Sequence, residues 1–309
     1  MKEKIHIGGQ AVLEGVMMRA PRALAIAVRR PSGEIVIRRE ATPPLSERFP
    51  IVKLPILRGT VALFTSLVMG IRALNFSANE ALVEETPEGE EPGKQEELSS
   101  WALAGTMTAA FGFGIALFFF LPLYLTKLLV PVIGDGNLMF NLVDGVIRVV
   151  VFLIYIWTIA RMKDIQRVFQ YHGAEHKTIF AFEEGVELTI ENVKRFSRLH
   201  PRCGTSFLLI VMLVSIAVFS TIPKAWPFLY KALSRVVLLP LIAGISYEFL
   251  KWSAKNDQHP LVKLVIAPGL GLQRLTTREP DDDQLEVAIR SAQEALDENA
   301  GYADDRIVV

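Results

Sequence analysis

Cysteine is nearly absent: Cys203 is the one thiol in 309 residues. That excludes an internal disulfide framework and fits a reducing compartment. Net charge is absent too, with 33 Lys and Arg against 33 Asp and Glu, so the total offers no pull toward nucleic acid. The first 54 residues hold no apolar core followed by a small-residue cleavage site. No cleavable signal peptide is therefore expected, and insertion is expected to begin at an internal helix. Gly8, Gly9 and Gly15 match neither G-x-x-x-x-G-K-[ST] nor G-x-G-x-x-G, which excludes a phosphate loop there.

Apolar residues are what the chain has in plenty. They make up 51% of it, the mean hydropathy is +0.33, and they are clumped into runs rather than spread with a helical or strand period. About 20 consecutive apolar residues cross a bilayer. The runs at 101–125, 141–159, 204–222 and 232–252 are read as four transmembrane helices. Segment 54–76 is apolar but carries Arg58 and Arg72 near its ends, and spanning, re-entrant and interfacial placements all suit it. Counting Lys and Arg in the connections decides the orientation. Segments 1–54, 126–140, 161–203, 223–231 and 253–309 hold ten, one, eight, two and six. That alternation places both termini and the segment 161–203 in the cytoplasm. It favours 54–76 as re-entrant or interfacial, because a fifth crossing would put the basic N-terminus outside.

The remaining segments are polar. Ala23–Val28 and Glu34–Arg38 flank Pro31-Ser32-Gly33 and read as two strands around a turn, with Gly8–Arg19 as further glycine-broken strand. Residues 1–53 are thus expected to form a small β-rich cytoplasmic segment. The acidic stretch 84–97, within 77–100, reads as a solvated linker. The tail 253–309 is expected to end in an amphipathic helix, with Asp281 to Asp283 at its N-terminus and Leu285, Ala288, Ile289 and Ala292 as its apolar stripe.

Five histidines are present and three fall within 172–200. His172 and His176 are four apart, so a helix projects both rings from one face, close enough to chelate one ion. With Glu175 they spell H-x-x-E-H, the inverted zinc-protease pattern, in which two histidines hold the metal and the glutamate takes a proton from water. His200 and Cys203 add a second short-spaced pair, and imidazole with thiolate suits zinc. Glu248, in Ser246-Tyr247-Glu248 at the inner end of the fourth span, is an acidic candidate for a further ligand. Hydrogen-bonded structural histidines are the competing reading of the same cluster. Cys203 precedes a span and follows Arg202, two features that lower a thiol's pKa, so a Cys/His nucleophile pair stands beside a buried structural cysteine. Glu14 is an acidic group in a tight, glycine-bounded turn. Asp144 and Arg148 share a helical face in the second span, as an ion pair or as part of a polar pathway.

Gly8-Gly9-Gln10-Ala11-Val12, Glu14-Gly15-Val16-Met17-Met18-Arg19, Tyr171-His172-Gly173-Ala174-Glu175-His176-Lys177 and His200-Pro201-Arg202-Cys203-Gly204-Thr205-Ser206 together resemble the YqhQ-like bacterial membrane proteins. The likeness runs over roughly 5–280. It implies a multi-pass protein of the bacterial inner membrane, in a domain-of-unknown-function family often described as predicted metal-dependent enzymes. Two functions are expected. The first is a metal-dependent hydrolase, its zinc held by His172, His176 and one of His200, Cys203 or Glu248, with Glu175 as base. The second is a scaffold or membrane-protein insertion accessory, touching lipid headgroups or a protein partner at its cytoplasmic face. A channel, which at four spans would have to be an oligomer, ranks third.

Overall fold

A computed structural model of the chain describes residues 5–81, 100–134, 136–201, 203–223, 225–256 and 259–304. The acidic stretch 84–97, Arg202 and Lys224 lie outside the described residues. The protein is mostly helical, with one small antiparallel sheet at its N-terminal end.

The sheet is a four-stranded meander, β1 Gly8–Val12, β2 Gly15–Arg19, β3 Ala23–Arg29 and β4 Ile35–Ala41, in that order across the sheet. Val12 pairs with Gly15, so Leu13 and Glu14 form a two-residue turn, and Glu14 takes φ 49° there. Such turns demand left-handed backbone, which Asn, Asp and Gly adopt most easily. Side chains alternate between faces, as the pleat requires. Val16, Met18, Ala25 and Ala27 point one way, and Met17, Leu24, Ile26 and Val28 the other.

Both faces are covered. After the short helix α1 Leu45–Arg48 and a 3-10 turn Pro50–Lys53 comes α2 Leu57–Ala81. Met69, Ala73 and Phe76 from its second half lie on the Leu24–Ile26–Val28 face. Helix α12, Asp282–Asp304, covers the other face with Leu285, Ala288, Ile289 and Ala292. Ala25 and Ala27 let it approach closely enough for the Ser291 hydroxyl to donate to the Ala25 carbonyl at 3.0 Å. Its start is fixed by reciprocal bonds: Asp281 N–H donates to Gln284 Oε1 and Gln284 N–H to Asp281 Oδ1. This is the capping-box arrangement.

Between these ends lie the apolar helices. Helix α3 Ser100–Ile115, a π-helical turn Ala116–Phe120 and α4 Leu121–Ile133 form one long rod, whose stretch 105–132 is long and apolar enough to cross a bilayer. Helix α5, Asn137–Ile159, also meets that test. So does α2, although its last turns are committed to the sheet. Two expected spans differ from the reading by sequence. Helix α8 spans Gly204–Ser220 and ends before Ile222, a length of about 26 Å at 1.5 Å per residue. The expected span at 232–252 is two helices, α9 Phe228–Val237 and α10 Leu239–Lys255, bent by 45°. Pro240 occupies the first turn of α10, where a missing N–H costs nothing but the preceding helix cannot run straight through. Segment 161–203 is largely helical: α6 Lys163–Glu183 and α7 Ile190–Lys194. Helix α11, Pro260–Thr276, packs along α8 and returns the chain to α6.

Candidate metal centre

The His/Glu motif lies in the middle of α6, where the 3.6 period puts His172, His176 and Glu183 on one side. The two imidazoles meet edge to face, with ring centroids 4.4 Å apart. What aims them comes from elsewhere in the chain. His172 Nδ1 lies 2.8 Å from the Thr276 carbonyl at the end of α11, and His176 Nδ1 lies 2.6 Å from the Arg198 carbonyl. A carbonyl only accepts, so both Nδ1 atoms carry hydrogen and both Nε2 atoms present a lone pair.

Cys203, buried just before α8, closes the group. His172 Nε2 is 3.2 Å from its sulfur, and ligand atoms of His172, His176 and Cys203 all lie within 4.8 Å of one another. His176 Nε2 is buried and makes no well-directed hydrogen bond, with the Cys203 thiol the group beside it. Burial lowers the His176 pKa, offset in part by the nearby Cys203, and holds the ring neutral. Two lone pairs and a sulfur converging on one point form a group that can hold a metal ion. Tetrahedral zinc sets such atoms roughly 3.5 Å apart, so closure needs only a small side-chain adjustment.

Glu175 is one residue round the helix from these ligands. It is buried, accepts a hydrogen bond from the Gly9 backbone, and its pKa is pushed up to about 7, by desolvation first, with His172 and the Gly9 bond opposing. A cavity of about 490 Å³ brings Glu175 together with His176, Cys203, His200, Glu183, Lys251 and the strand entry His6–Gly9. Gly9 is required there, because a Cβ would fall 2.8 Å from both Glu175 Cγ and the Met17 carbonyl.

The other residues singled out by sequence lie around this group or away from it. His200 packs near it, 5.7 Å from the His176 ring and 4.4 Å from Phe180, but its Nε2 faces Glu183 at 3.3 Å and it is not among the converging ligands. Gln273 fixes its backbone from both sides, at 2.8 and 2.7 Å. Glu248 is not in the group: Arg58 and the Ile56 N–H hold its carboxylate. Glu14 faces the opposite side of α6, where it pairs with Arg167 and accepts from Tyr171 Oη at 3.2 Å. That contact raises the Arg167 pKa. Asp144 and Arg148 form a remote, buried cluster with Arg235, each guanidinium 2.6 Å from Asp144 Oδ2.

Sequence reasoning missed Glu183, Gln273 and Arg235, and also the carbonyls of Arg198 and Thr276. Glu183 was open to discovery, since it continues the His172–His176 face by helical spacing. A backbone carbonyl leaves no mark in residue type.

The profile of a family described as "Protein of unknown function (DUF1385)" matches residues 54–298. This chain belongs to the DUF1385 family. A relative, the "Uncharacterized protein YqhQ" of Bacillus subtilis (strain 168), is 37% identical over 298 residues, covering 94% of this chain and 92% of its own. No solved structure matches. The DUF1385 match includes the H-x-x-E-H turn, Cys203 and both orienting carbonyls, and begins after the sheet.

Proposed function

We propose that this DUF1385 protein is a multi-pass protein of the bacterial inner membrane, with a zinc-dependent hydrolase centre on its cytoplasmic face. The convergence of two oriented Nε2 lone pairs and one thiol, with His176 Nε2 buried and without a well-directed hydrogen bond, carries the metal half of this reading. An unpaired buried acceptor costs about 1–3 kcal/mol, and a bound cation removes that cost. Ligand rings that donate Nδ1–H to carbonyls are the outer-shell pattern of metal-binding histidines. Three protein ligands leave a fourth position for water or substrate, as in catalytic rather than structural zinc sites.

Bound there, the ion supplies Lewis acidity toward water or a substrate carbonyl. Glu175 takes the proton of the attacking water and returns it to the leaving group. Gly9 N–H holds that carboxylate in place, and the cavity beside it admits substrate. The membrane half of the reading is supported by the three long apolar helices and the bent pair, and by the Lys and Arg alternation.

Metal analysis of the purified full-length protein tests the centre. Stoichiometric zinc is expected, lost in His176→Ala and kept in Glu175→Gln, whose hydrolytic turnover falls. Protein that holds only stray ions, with no difference in His176→Ala, sinks the proposal. The two-way Gln273–His200 bonding favours a second reading, a zinc-stapled platform for a protein partner. Stoichiometric zinc with Glu175→Gln silent in cells would select it.

A further inference from the structure

A second, larger cavity of about 640 Å³ lies between the sheet and the first half of α2. It shares the wall His6–Gly9 with the cavity beside Glu175, so the two flank the same strand entry. Its size is that of an ordinary small-ligand site. Among the described residues its lining has two guanidinium groups, Arg19 and Arg58, and no carboxylate. Arg58 is neutralised by Glu248. Arg19 has no carboxylate partner among the described residues, and burial lowers its pKa, with Tyr247 opposing. Arg19 is partly buried; a cation even partly withdrawn from water without a counter-charge is destabilised, and a bound anion offsets that.

Besides the polar side chains of His6 and Gln10, the rest of the lining is mostly apolar or hydroxylic: Val52, Val61, Ala62 and Met69, with Thr65 and Ser66 near them. The lining includes Leu45, Ser46 and Val52, and in the same segment Leu45, Phe49, Ile51 and Leu54 are all exposed, Ile51 to 63%. Arg48 and Lys53 alternate with them. Exposed apolar side chains interleaved with basic ones are the composition of a segment lying in a lipid headgroup layer.

We propose that this cavity binds a membrane lipid, its phosphate headgroup on Arg19 and an acyl chain along Val61, Ala62 and Met69. The charge match selects an anionic group, the apolar wall selects a chain, and the adjoining surface selects the bilayer as the source. The inference rests on the membrane half of the proposed function and is independent of the metal.

The test uses full-length protein purified from membranes in mild detergent, with bound phospholipid quantified per chain by mass spectrometry. Wild type retains a phosphate-headgroup lipid near stoichiometry. Arg19→Gln retains roughly ten- to a hundredfold less, the loss expected for one charge-assisted contact, while Arg19→Lys keeps most of it. Ala62→Phe, which fills the chain side and leaves the charge, lowers retention as well. Delipidated wild type is then offered detergent micelles carrying phosphatidylglycerol, detergent micelles carrying diacylglycerol, or inorganic phosphate. Only the first is expected to raise its thermal midpoint. Equal retention in Arg19→Gln, or equal protection by inorganic phosphate or diacylglycerol, overturns the proposal. Release of the chain from membranes by alkaline carbonate overturns the membrane reading and this one together. A chain that stays in the membrane pellet yet holds no lipid overturns this one alone.

Discussion

At the scale of single residues, the ionisation of Glu175 bears directly on the stability of the fold. Its side chain is buried against Gly9, and desolvation pushes its pKa up to about 7 from an ordinary 4.5. In metal-stripped protein the folded state therefore keeps a proton that the unfolded chain has already released, throughout the window between those values. The folded state binds more protons, so stability is greatest below 4.5 and falls as pH rises to 7. At about 1.4 kcal/mol per pH unit the full loss is about 3 kcal/mol. Glu175→Gln removes the titration and keeps the shape. Thermal midpoints of the chelated proteins should converge at acidic pH, and the variant should exceed wild type above neutrality. A parallel pH dependence in the two would show that Glu175 is ionised in the fold throughout.

At the scale of elements, the centre depends on α11 reaching α6. Gly173 makes that approach possible, because a Cβ there would overlap the Arg278 carbonyl. Arg278 N–H in turn donates to the Phe169 carbonyl at 2.8 Å, which locks 276–278 against the helix. Thr276, two residues earlier, supplies the acceptor for His172. Gly173→Ala should push this segment away and let the His172 ring turn, though no ligand is altered. Zinc affinity is expected to fall roughly ten- to a hundredfold, the usual cost of losing an outer-shell partner. Competition with a chromophoric chelator measures it. Gly271→Ala, in α11 where a Cβ meets nothing, is the control and should bind as wild type does. Unchanged affinity in Gly173→Ala would mean that the Thr276 contact does not orient the ring.

The same helix shows what a sequence can disclose. His172, Glu175 and His176 were legible because helical spacing is local: three and four residues make a face. The strands 23–28 and 34–38 were legible as short apolar runs around a Pro-Ser-Gly turn, and β3 and β4 occupy nearly those positions. The stripe of α12 was legible from helical spacing, and all four of its named residues are buried. Contacts made across the chain were not. Arg235 reaches Asp144 from 91 residues away, and Arg58 claims Glu248 from 190. Nothing in residue type separates a carboxylate bound to a distant arginine from one free to take a metal. The bend at Leu238 was hidden because hydropathy averages over Pro240 and reports one apolar run.

At the scale of the whole molecule, one body fixes what the apolar helices must do. Ile7, the sheet, α6 and α12 share a single core, with Val16, Met18, Ala25, Tyr171, Ala174, Leu285 and Ala288 in mutual contact. In a bilayer, elements that share a core lie on one side. The chain must therefore cross an even number of times between β4 and α6, and again between α6 and α12. The first interval offers three candidates, α2, the α3–α4 rod and α5. We propose that α2 is the one that does not cross, because Ala73 is buried on the sheet and Met69 and Phe76 pack against it. The Lys and Arg count favours the same re-entrant or interfacial placement. The second interval offers α8, a shorter apolar helix, and the bent pair α9–α10. On the proposed membrane reading these make one crossing out and one back, four in all, with 134, 136, 221–223 and 225–227 on the far side. Single cysteines read this directly, since the native Cys203 is buried. Gly136→Cys and Thr221→Cys should react with a membrane-impermeant maleimide added to intact cells. Ser32→Cys in the β3–β4 turn and Glu187→Cys after α6 should react only after lysis. Labelling of Ser32→Cys and Gly136→Cys from the same side would require α2 to cross, and would separate the sheet from the core it shares with α6.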